Sequence, residues 1–110
     1  MNDSIKKSLS DILTSIEAID HHLQGKRDFN FYVKQLTMKR AVERELTIIG
    51  EAVNRILKEG RQFELKESKK IISFRNRVIH SYDAVDDNLV WKVIIRDIPS
   101  LQAEVKQLLG

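Results

Sequence analysis

The 110-residue chain has no cysteine, one proline, four glycines and no long apolar run. Without cysteine it cannot form disulfides, use a thiol nucleophile or ligate zinc through thiolates, and this composition is typical of a reducing cytoplasm. A membrane-spanning helix needs about 20 mostly apolar residues, which the chain lacks. Its first residues, MNDSIKKSLSDIL, also lack the apolar core of a signal peptide. We therefore expect a cytoplasmic protein with no membrane contact.

The composition is that of a small soluble domain. Hydrophobic residues make up 42% of the chain and charged residues 32%, which is typical of a globular protein and not of a disordered one. The length predicts a single domain over residues 1–110. The formal net charge of +3 permits an anionic partner without requiring one.

The scarcity of glycine and proline favours long helices. Apolar residues recur every three or four positions from Ile5 to Leu23, which predicts an amphipathic first helix. Asn2, Asp3 or Ser4 could cap its start, and Gly25 could end it in a left-handed turn.

The spacing predicts a second helix from Asp28 or Asn30 to Glu59, ended by Gly60. Gly50 lies inside this helix, where glycine costs about 1 kcal/mol relative to alanine, so close helix packing is a reasonable motive for it.

Two further helices are predicted, one from Ser68 to about residues 81–83 and one beginning at Asp86 or Asp87. Pro99 should kink the last helix or split it in two. No segment alternates polar and apolar residues with a period of two, so we expect no sheet. The predicted fold is an all-α, four- to five-helix up-down bundle.

Familiar metal and phosphate motifs are absent from the sequence. There is no glycine-rich phosphate loop and no H-E-x-x-H pair. His21 and His22 are adjacent and would point about 100° apart on a helix, which is poor geometry for a shared metal. Asp83, Asp86 and Asp87 match no calcium loop and are better explained as helix caps. We therefore expect no metal site and no cofactor in this chain.

The stretch FRNRVIHSYD, residues 74–83, contains the candidate reactive groups. Asn76 and His80 are four positions apart and share one helix face. Arg75 and His80 are five apart, which places them about 140° around an ideal helix and about 7.5 Å along it. Their side chains could meet only by their length, at a helix end near His80, or with a second copy of the chain.

The residue types in this stretch suit chemistry at a phosphate. Histidine titrates near neutral pH and can move a proton, while arginine keeps its charge and can stabilise a phosphate's developing negative charge. RNA supplies its own nucleophile, the 2′-hydroxyl, so Arg75, Asn76 and His80 could suffice for a metal-free RNase. Tyr82 could stack on a base or contact phosphate. A polar helix C-terminus carrying favourable cations would have the same composition.

The run RNRVIHSY, residues 75–82, resembles the R-x-x-x-x-H-x-Y signature of HEPN-domain toxins of the HepT-like branch. KRAVERELTIIGEAVNRI, residues 39–56, is similar to the second helix of that branch. VDDNLVWKVIIRDIPSLQAEV, residues 85–105, is similar to its last helices. Many members carry glycine where this chain has Ser81, which allows the turn less backbone freedom.

The resemblance implies a HEPN-like helical fold that forms a homodimer, with the motif helices meeting across the interface. It also implies a metal-independent endoribonuclease toxin, with Arg75 and His80 catalytic and Asn76 supporting them. The implied partner is an MNT-type minimal nucleotidyltransferase antitoxin that neutralises the toxin by AMPylating Tyr82. ATP and magnesium would belong to that partner.

The resemblance leaves two questions open. Glu51, in the segment GEA, is either a supporting residue of the site or a surface partner of Arg55 at i, i+4. The whole chain could instead be a non-catalytic helical module that binds a nucleotide or partner within a nucleotidyltransferase complex, with Arg75 and His80 as binding residues. A third alternative is a purely structural bundle, in which replacing Arg75 or His80 would alter stability alone.

Overall fold

Helices dominate the computed structural model, which describes residues 1–60, 65–80 and 85–110 of the chain, the side chains of residues 79 and 80 excepted. In chain order these are α1 (Asp3–His22), α2 (Phe29–Tyr32), α3 (Leu36–Glu59), α4 (Ser68–His80), α5 (Asp87–Lys92), a π-helical segment (Val93–Asp97) and α6 (Ile98–Leu109). No strand occurs among the described residues, in agreement with the absence of period-two alternation.

Helix α1 begins and ends where the sequence predicts. The Asn2 side chain accepts a hydrogen bond from the Ile5 backbone N–H at 2.8 Å, satisfying one of the free donors of the first turn. Gln24 and Gly25 both have left-handed backbone angles, with φ of 59° and 70°. The Gly25 N–H donates to the Asp20 carbonyl at 3.0 Å and closes the helix.

The prediction of one continuous second helix is wrong in its first part, because the structure divides this stretch into α2 and α3. Asp28 does act as a cap, accepting a hydrogen bond from the Phe31 N–H at 3.1 Å, but it begins only the single turn of α2. The rings of Phe29 and Tyr32 pack against Trp91 at centroid distances of 5.7 and 5.3 Å. This aromatic packing holds α2 against α5, and the chain turns at residues 33–35 before α3 begins.

The end of α3 and the last helical run follow the prediction. Gly60 ends α3, and its N–H donates to the Ile56 carbonyl at 3.2 Å. Asp86 caps α5 by accepting from the Asn88 N–H at 2.9 Å. The Ile98 N–H reaches back to the Val93 carbonyl, a spacing of five residues, so a π-helical segment separates α5 from α6.

Pro99 lies in the first turn of α6, immediately after the π-helical segment. Proline cannot donate the next backbone hydrogen bond, and its ring crowds the carbonyl four residues earlier. The predicted interruption of the last helix therefore takes the form of a change in helical register ahead of the proline.

Contacts between helix ends show how α1 and α3 run relative to each other. The Ser4 hydroxyl at the start of α1 donates to the Glu59 carboxylate at the end of α3. His22 at the other end of α1 approaches Glu45 in the first half of α3, with 3.4 Å between Nε2 and Oε2. The two longest helices are thus antiparallel, and α1 packs mainly against α3.

An apolar core of described residues joins the helices, and α4 contributes Ile71 and Phe74 to it. Each fully buried leucine, isoleucine or phenylalanine stabilises the fold by about 1.5–3 kcal/mol. Phe74 is 4% exposed, so it sets the rotation of α4 immediately before Arg75. None of the helices that the structure describes is long and apolar enough to cross a membrane.

Candidate active site

The motif helix α4 packs closely against α3 at Gly50. A Cβ added to Gly50 would lie 2.6 Å from the Arg75 Cβ, 2.9 Å from its Cδ and 3.0 Å from its Cγ. Real side chains do not pack this tightly, so only glycine leaves room for the stem of Arg75. This confirms close helix packing as the motive for a glycine within α3.

Arg75 is held along this crossing and is partly buried. Its Nη1 donates to the Asn76 Oδ1 at 3.4 Å, so the structure brings these two predicted site residues together. The Nε of Arg75 is buried and has no hydrogen-bond partner among the residues that the structure describes. Asn76 is exposed beside it. A guanidinium anchored by its stem, with further N–H donors beyond the Asn76 bond, can bind an anionic oxygen.

His80 is the last residue of α4. Its side chain lies outside the described part of the structure, as do Ser81, Tyr82 and Asp83. The convergence of His80 on Arg75, the place of Tyr82 and the predicted helix end at residues 81–83 therefore stay predictions.

Glu51 follows Gly50 directly and is partly buried. The i, i+4 partner considered for it, Arg55, is engaged elsewhere. Arg55 donates from Nε to the Ser8 Oγ and from Nη2 to the Asp11 Oδ2, both at 3.3 Å. Arg55 thus joins α3 to α1, and the alternative of a Glu51–Arg55 surface pair is not what the structure contains. A supporting role for Glu51 stays a prediction.

The other polar candidates have structural roles. His22 approaches Glu45, and the ring of His21 meets that of His22 at a centroid distance of 6.0 Å. Asp87 accepts from the Lys39 Nζ at 3.0 Å, which joins α5 to the start of α3. In residues 1–60, 65–80 and 85–110, no group of three or more metal-ligating side chains comes together.

Among the described side chains, the pKa values of Tyr32 and Arg96 depart from their ordinary range because of local contacts. Burial raises the pKa of the Tyr32 phenol, and the negative charges of Glu43 and Asp87 raise it further. The hydrogen bond and charge of Asp97 raise the pKa of Arg96 and keep its guanidinium charged. Neither Tyr32, in α2, nor Arg96, in the π-helical segment, belongs to the α3–α4 contact.

A groove that the sequence did not predict lies beside the motif helix, and it is called the α4 groove from here on. Its lining comes from α4, α5 and the π-helical segment: Lys70, Ser73, Phe74, Arg77, Leu89, Val93, Arg96 and Asp97. The spacing of Lys70, Ser73 and Arg77 could have indicated a shared polar face of α4. No local signal pairs that face with Arg96, because the two segments meet only in the folded chain.

Comparison with known proteins adds the family to this geometry. Residues 12–108 match the family described as Ribonuclease HepT-like. A protein of Caldanaerobacter subterraneus subsp. tengcongensis, named "Putative RNase", is 36% identical over 102 residues, which cover 92% of this chain and 90% of that protein. No solved structure gives a significant match.

Two archaeal relatives are similar over nearly their whole lengths. One from Methanocaldococcus jannaschii, also named "Putative RNase", is 33% identical over a stretch that covers 93% of this chain and 94% of that protein. One from Thermococcus cleftensis, named "Probable ribonuclease HepT", is 32% identical over 98% of both. With a family match over residues 12–108 and relatives of this similarity, the chain belongs to the HepT-like ribonuclease family.

Proposed function

We propose that this protein is a metal-independent endoribonuclease whose catalytic residues are Arg75 and His80. The observation that carries the proposal is the seating of Arg75 against Gly50, which holds a guanidinium at a defined place on the motif helix. Membership of a family described as ribonucleases supports RNA as the substrate. Asn76 supports the site through its contact with the Arg75 Nη1.

The chemistry uses the substrate's own nucleophile. The RNA 2′-oxygen attacks the adjacent phosphorus and loses its proton, while the bond from phosphorus to the 5′-oxygen breaks and that oxygen gains a proton. His80 transfers a proton at one of these two oxygens. Arg75 donates to the phosphate oxygens as negative charge accumulates on them in the transition state. No metal-bound water enters this scheme, since the nucleophile belongs to the RNA.

A homodimer would complete the site. On one ideal helix, Arg75 and His80 are about 140° apart, so a second copy could bring its motif helix to the same phosphate. The described part of α4 reaches His80, and the predicted helix end just after it would be the other route to convergence. Sedimentation of the purified protein, with dimer mass expected, tests this part of the proposal.

We also place the protein in a cytoplasmic toxin–antitoxin pair. In this scheme an MNT-type nucleotidyltransferase is the antitoxin, and the Tyr82 oxygen attacks the α-phosphorus of ATP, forming a tyrosyl–AMP ester and releasing pyrophosphate. The added AMP carries negative charge beside the proposed phosphate site. Repulsion and bulk would then keep RNA away.

Cleavage of RNA in the presence of a metal chelator tests the catalytic proposal. Wild-type protein should cut, and both Arg75→Ala and His80→Ala should lose cleavage and growth toxicity. Arg27→Ala and His21→Ala are matched controls in exposed positions of the α1 region and should behave like wild type. Intact RNA with the purified wild type, together with wild-type toxicity in His80→Ala, would contradict the proposal and favour the nucleotide- or partner-binding module.

Intact mass after co-expression with such a nucleotidyltransferase tests the modification. The chain has two tyrosines, so Tyr82→Phe and Tyr32→Phe form a matched pair. Whole AMP increments should appear on the wild type and on Tyr32→Phe, whose position is fully buried, and should vanish in Tyr82→Phe. Increments that persist in Tyr82→Phe would place the modification elsewhere.

A further inference from the structure

The α4 groove gathers positive charge from segments far apart in sequence. Lys70 and Arg77 come from α4, and Arg96 comes from the π-helical segment. Lys70 and Arg77 are seven residues apart on one helix face, about 10.5 Å along the axis. That length corresponds to roughly three nucleotides of a stacked strand. Ser73 lies between them on the same lining and adds a hydroxyl donor.

Arg96 is oriented by its neighbour. Its Nε donates to the Asp97 Oδ1 at 2.9 Å, and Asp97 is only 2% exposed. This bond uses one of the five N–H donors of the guanidinium. The Arg96 side chain is 56% exposed. A buried carboxylate thus fixes an exposed arginine, and less side-chain entropy has to be lost when an anion binds.

The charge balance of the groove is positive. The lining has three cations, Lys70, Arg77 and Arg96, against one anion, Asp97, a formal charge of 3 − 1 = +2. Glu67 approaches Lys70 from outside the lining at 3.4 Å, and counting it leaves a charge of +1. Phe74 is 4% exposed and Val93 is 5% exposed, so an apolar floor lies below this charged rim.

We propose that the α4 groove is a phosphate-binding surface that holds the RNA strand next to the catalytic motif. The inference deepens the proposed function, because it takes RNA as the substrate from it. The groove lies on a different face of α4 from Arg75, which packs against Gly50 of α3. His80 follows Arg77 by three positions, about 60° around an ideal helix, so a strand lying along Lys70 and Arg77 leads towards the motif histidine. Phosphates positioned by lysine, arginine and serine contribute affinity and orientation without reading sequence.

Salt-dependent RNA binding tests the groove without relying on cleavage. The binding protein is His80→Ala, and the ligand is a fluorescent single-stranded oligoribonucleotide. The test variant adds Lys70→Gln, Arg77→Gln and Arg96→Gln. The control adds Lys7→Gln, Arg27→Gln and Arg40→Gln, which remove equal charge from exposed cations that each have a carboxylate partner.

The groove variant should bind roughly tenfold or more weakly at low salt, because it loses charged hydrogen bonds to phosphate. The plot of log affinity against log salt concentration should become shallower by about 2, since each of the three lost phosphate contacts with a single strand contributes ~0.7 to the steepness of the slope. The control should change affinity less than about threefold. In the background that retains His80, the groove substitutions should raise KM by a larger factor than they lower kcat.

Equal affinity and salt slope in the groove variant and its His80→Ala parent, or equal losses in the control, would overturn the groove inference. If the groove variant keeps RNA binding but loses self-association, the groove is a contact between copies of the chain. If it loses only the binding of an acidic protein, the groove belongs to a protein partner. Either result overturns the groove inference. RNA bound through the groove but never cleaved by the wild type would overturn the proposed function and leave the groove standing. RNA cleavage by the wild type, with RNA binding unaffected by the groove substitutions, would overturn the groove inference and leave the proposed function standing.

Discussion

Gly50 on α3 and Arg75 on α4 are in such close contact that a methyl group on Gly50 would lie 2.6 Å from the Arg75 Cβ. Two segments 25 positions apart in sequence are therefore one structural unit. The glycine sets the distance between the helices, and that distance sets where the guanidinium of Arg75 can reach. The proposed active site thus depends on a residue that has no chemistry of its own.

Replacing Gly50 with alanine should harm both stability and RNA cleavage. Alanine gains about 1 kcal/mol of helix propensity, while forcing the helices apart costs about 1–3 kcal/mol. The clash involves the Arg75 Cβ, which cannot rotate away. We expect a net loss of about 1 kcal/mol in the free energy of unfolding and at least a tenfold loss of cleavage.

Arg75→Ala provides the control for this substitution. It removes the Cγ and Cδ atoms, which lie 3.0 and 2.9 Å from the added Cβ. In a double-mutant cycle measured by denaturation, Gly50→Ala should cost less in the Arg75→Ala background than in the wild type. Strict additivity would mean that the two residues are not coupled.

Asn76→Ala should reduce cleavage while leaving the fold intact. It removes the Oδ1 acceptor of the Arg75 Nη1, so the guanidinium loses one constraint on its orientation. Asn76 is exposed, and the free energy of unfolding should change by less than about 0.5 kcal/mol. We expect kcat to fall about tenfold. Asn88→Ala, at an exposed position of α5, should retain wild-type kcat, and equal kcat in both variants would count against a supporting role for Asn76.

Glu51→Gln separates a role in the site from a role in stability. Arg55 is bonded to Ser8 and Asp11 instead, so loss of the Glu51 charge breaks no Arg55 contact. If Glu51 supports the site, cleavage should fall several-fold with unfolding unchanged. Arg55→Ala should show the opposite pattern, losing about 0.5 kcal/mol of stability at a partly exposed pair while cleavage persists.

The Asp86 cap should be worth about 1 kcal/mol of stability. Its carboxylate accepts the Asn88 N–H at 2.9 Å, and Asp86→Ala leaves that donor without its partner. Chemical denaturation should show the loss, whereas Asp86→Asn, which can still accept the bond, should recover most of it. Equal stability of the alanine and asparagine variants would argue against the cap.

Stability should decrease above about pH 10 because of Tyr32. Its pKa is raised in the folded protein by burial and by Glu43 and Asp87, while the unfolded phenol titrates near its ordinary value of about 10. Above that pH the unfolded state loses the proton first, so the free energy of unfolding falls by up to ~1.4 kcal/mol per pH unit.

Tyr32→Phe should remove this alkaline loss. The Tyr32 hydroxyl is buried with no hydrogen-bond partner among the described residues, so its removal at pH 7 should be neutral or stabilising. Denaturation curves at pH 7 and above pH 10 give both comparisons. A slope retained in Tyr32→Phe would assign the alkaline sensitivity to another group.

Much of the helical framework was predictable because the signals are local. The caps at Asn2 and Asp86, the left-handed turn at Gly25 and the end of α3 at Gly60 all matched the sequence. The division of the second helix was not predictable, since it depends on Phe29 and Tyr32 packing against Trp91, some 60 residues later. Helical periodicity alone cannot show that a distant aromatic side chain will hold the single turn of α2 separate from α3.

The roles of Arg75, Asn76 and His80 stay predictions, but the sequence by itself determined the helical class and most helix ends in the described part of the chain. Those features depend on spacing within one or two helical turns, which the chain encodes directly. Only the tertiary structure decided that Arg75 packs against Gly50, that Arg55 of α3 bonds to α1 and that Arg96 joins the cations of α4. Each of these contacts joins residues far apart in sequence, and the packing of the shared core brings them together.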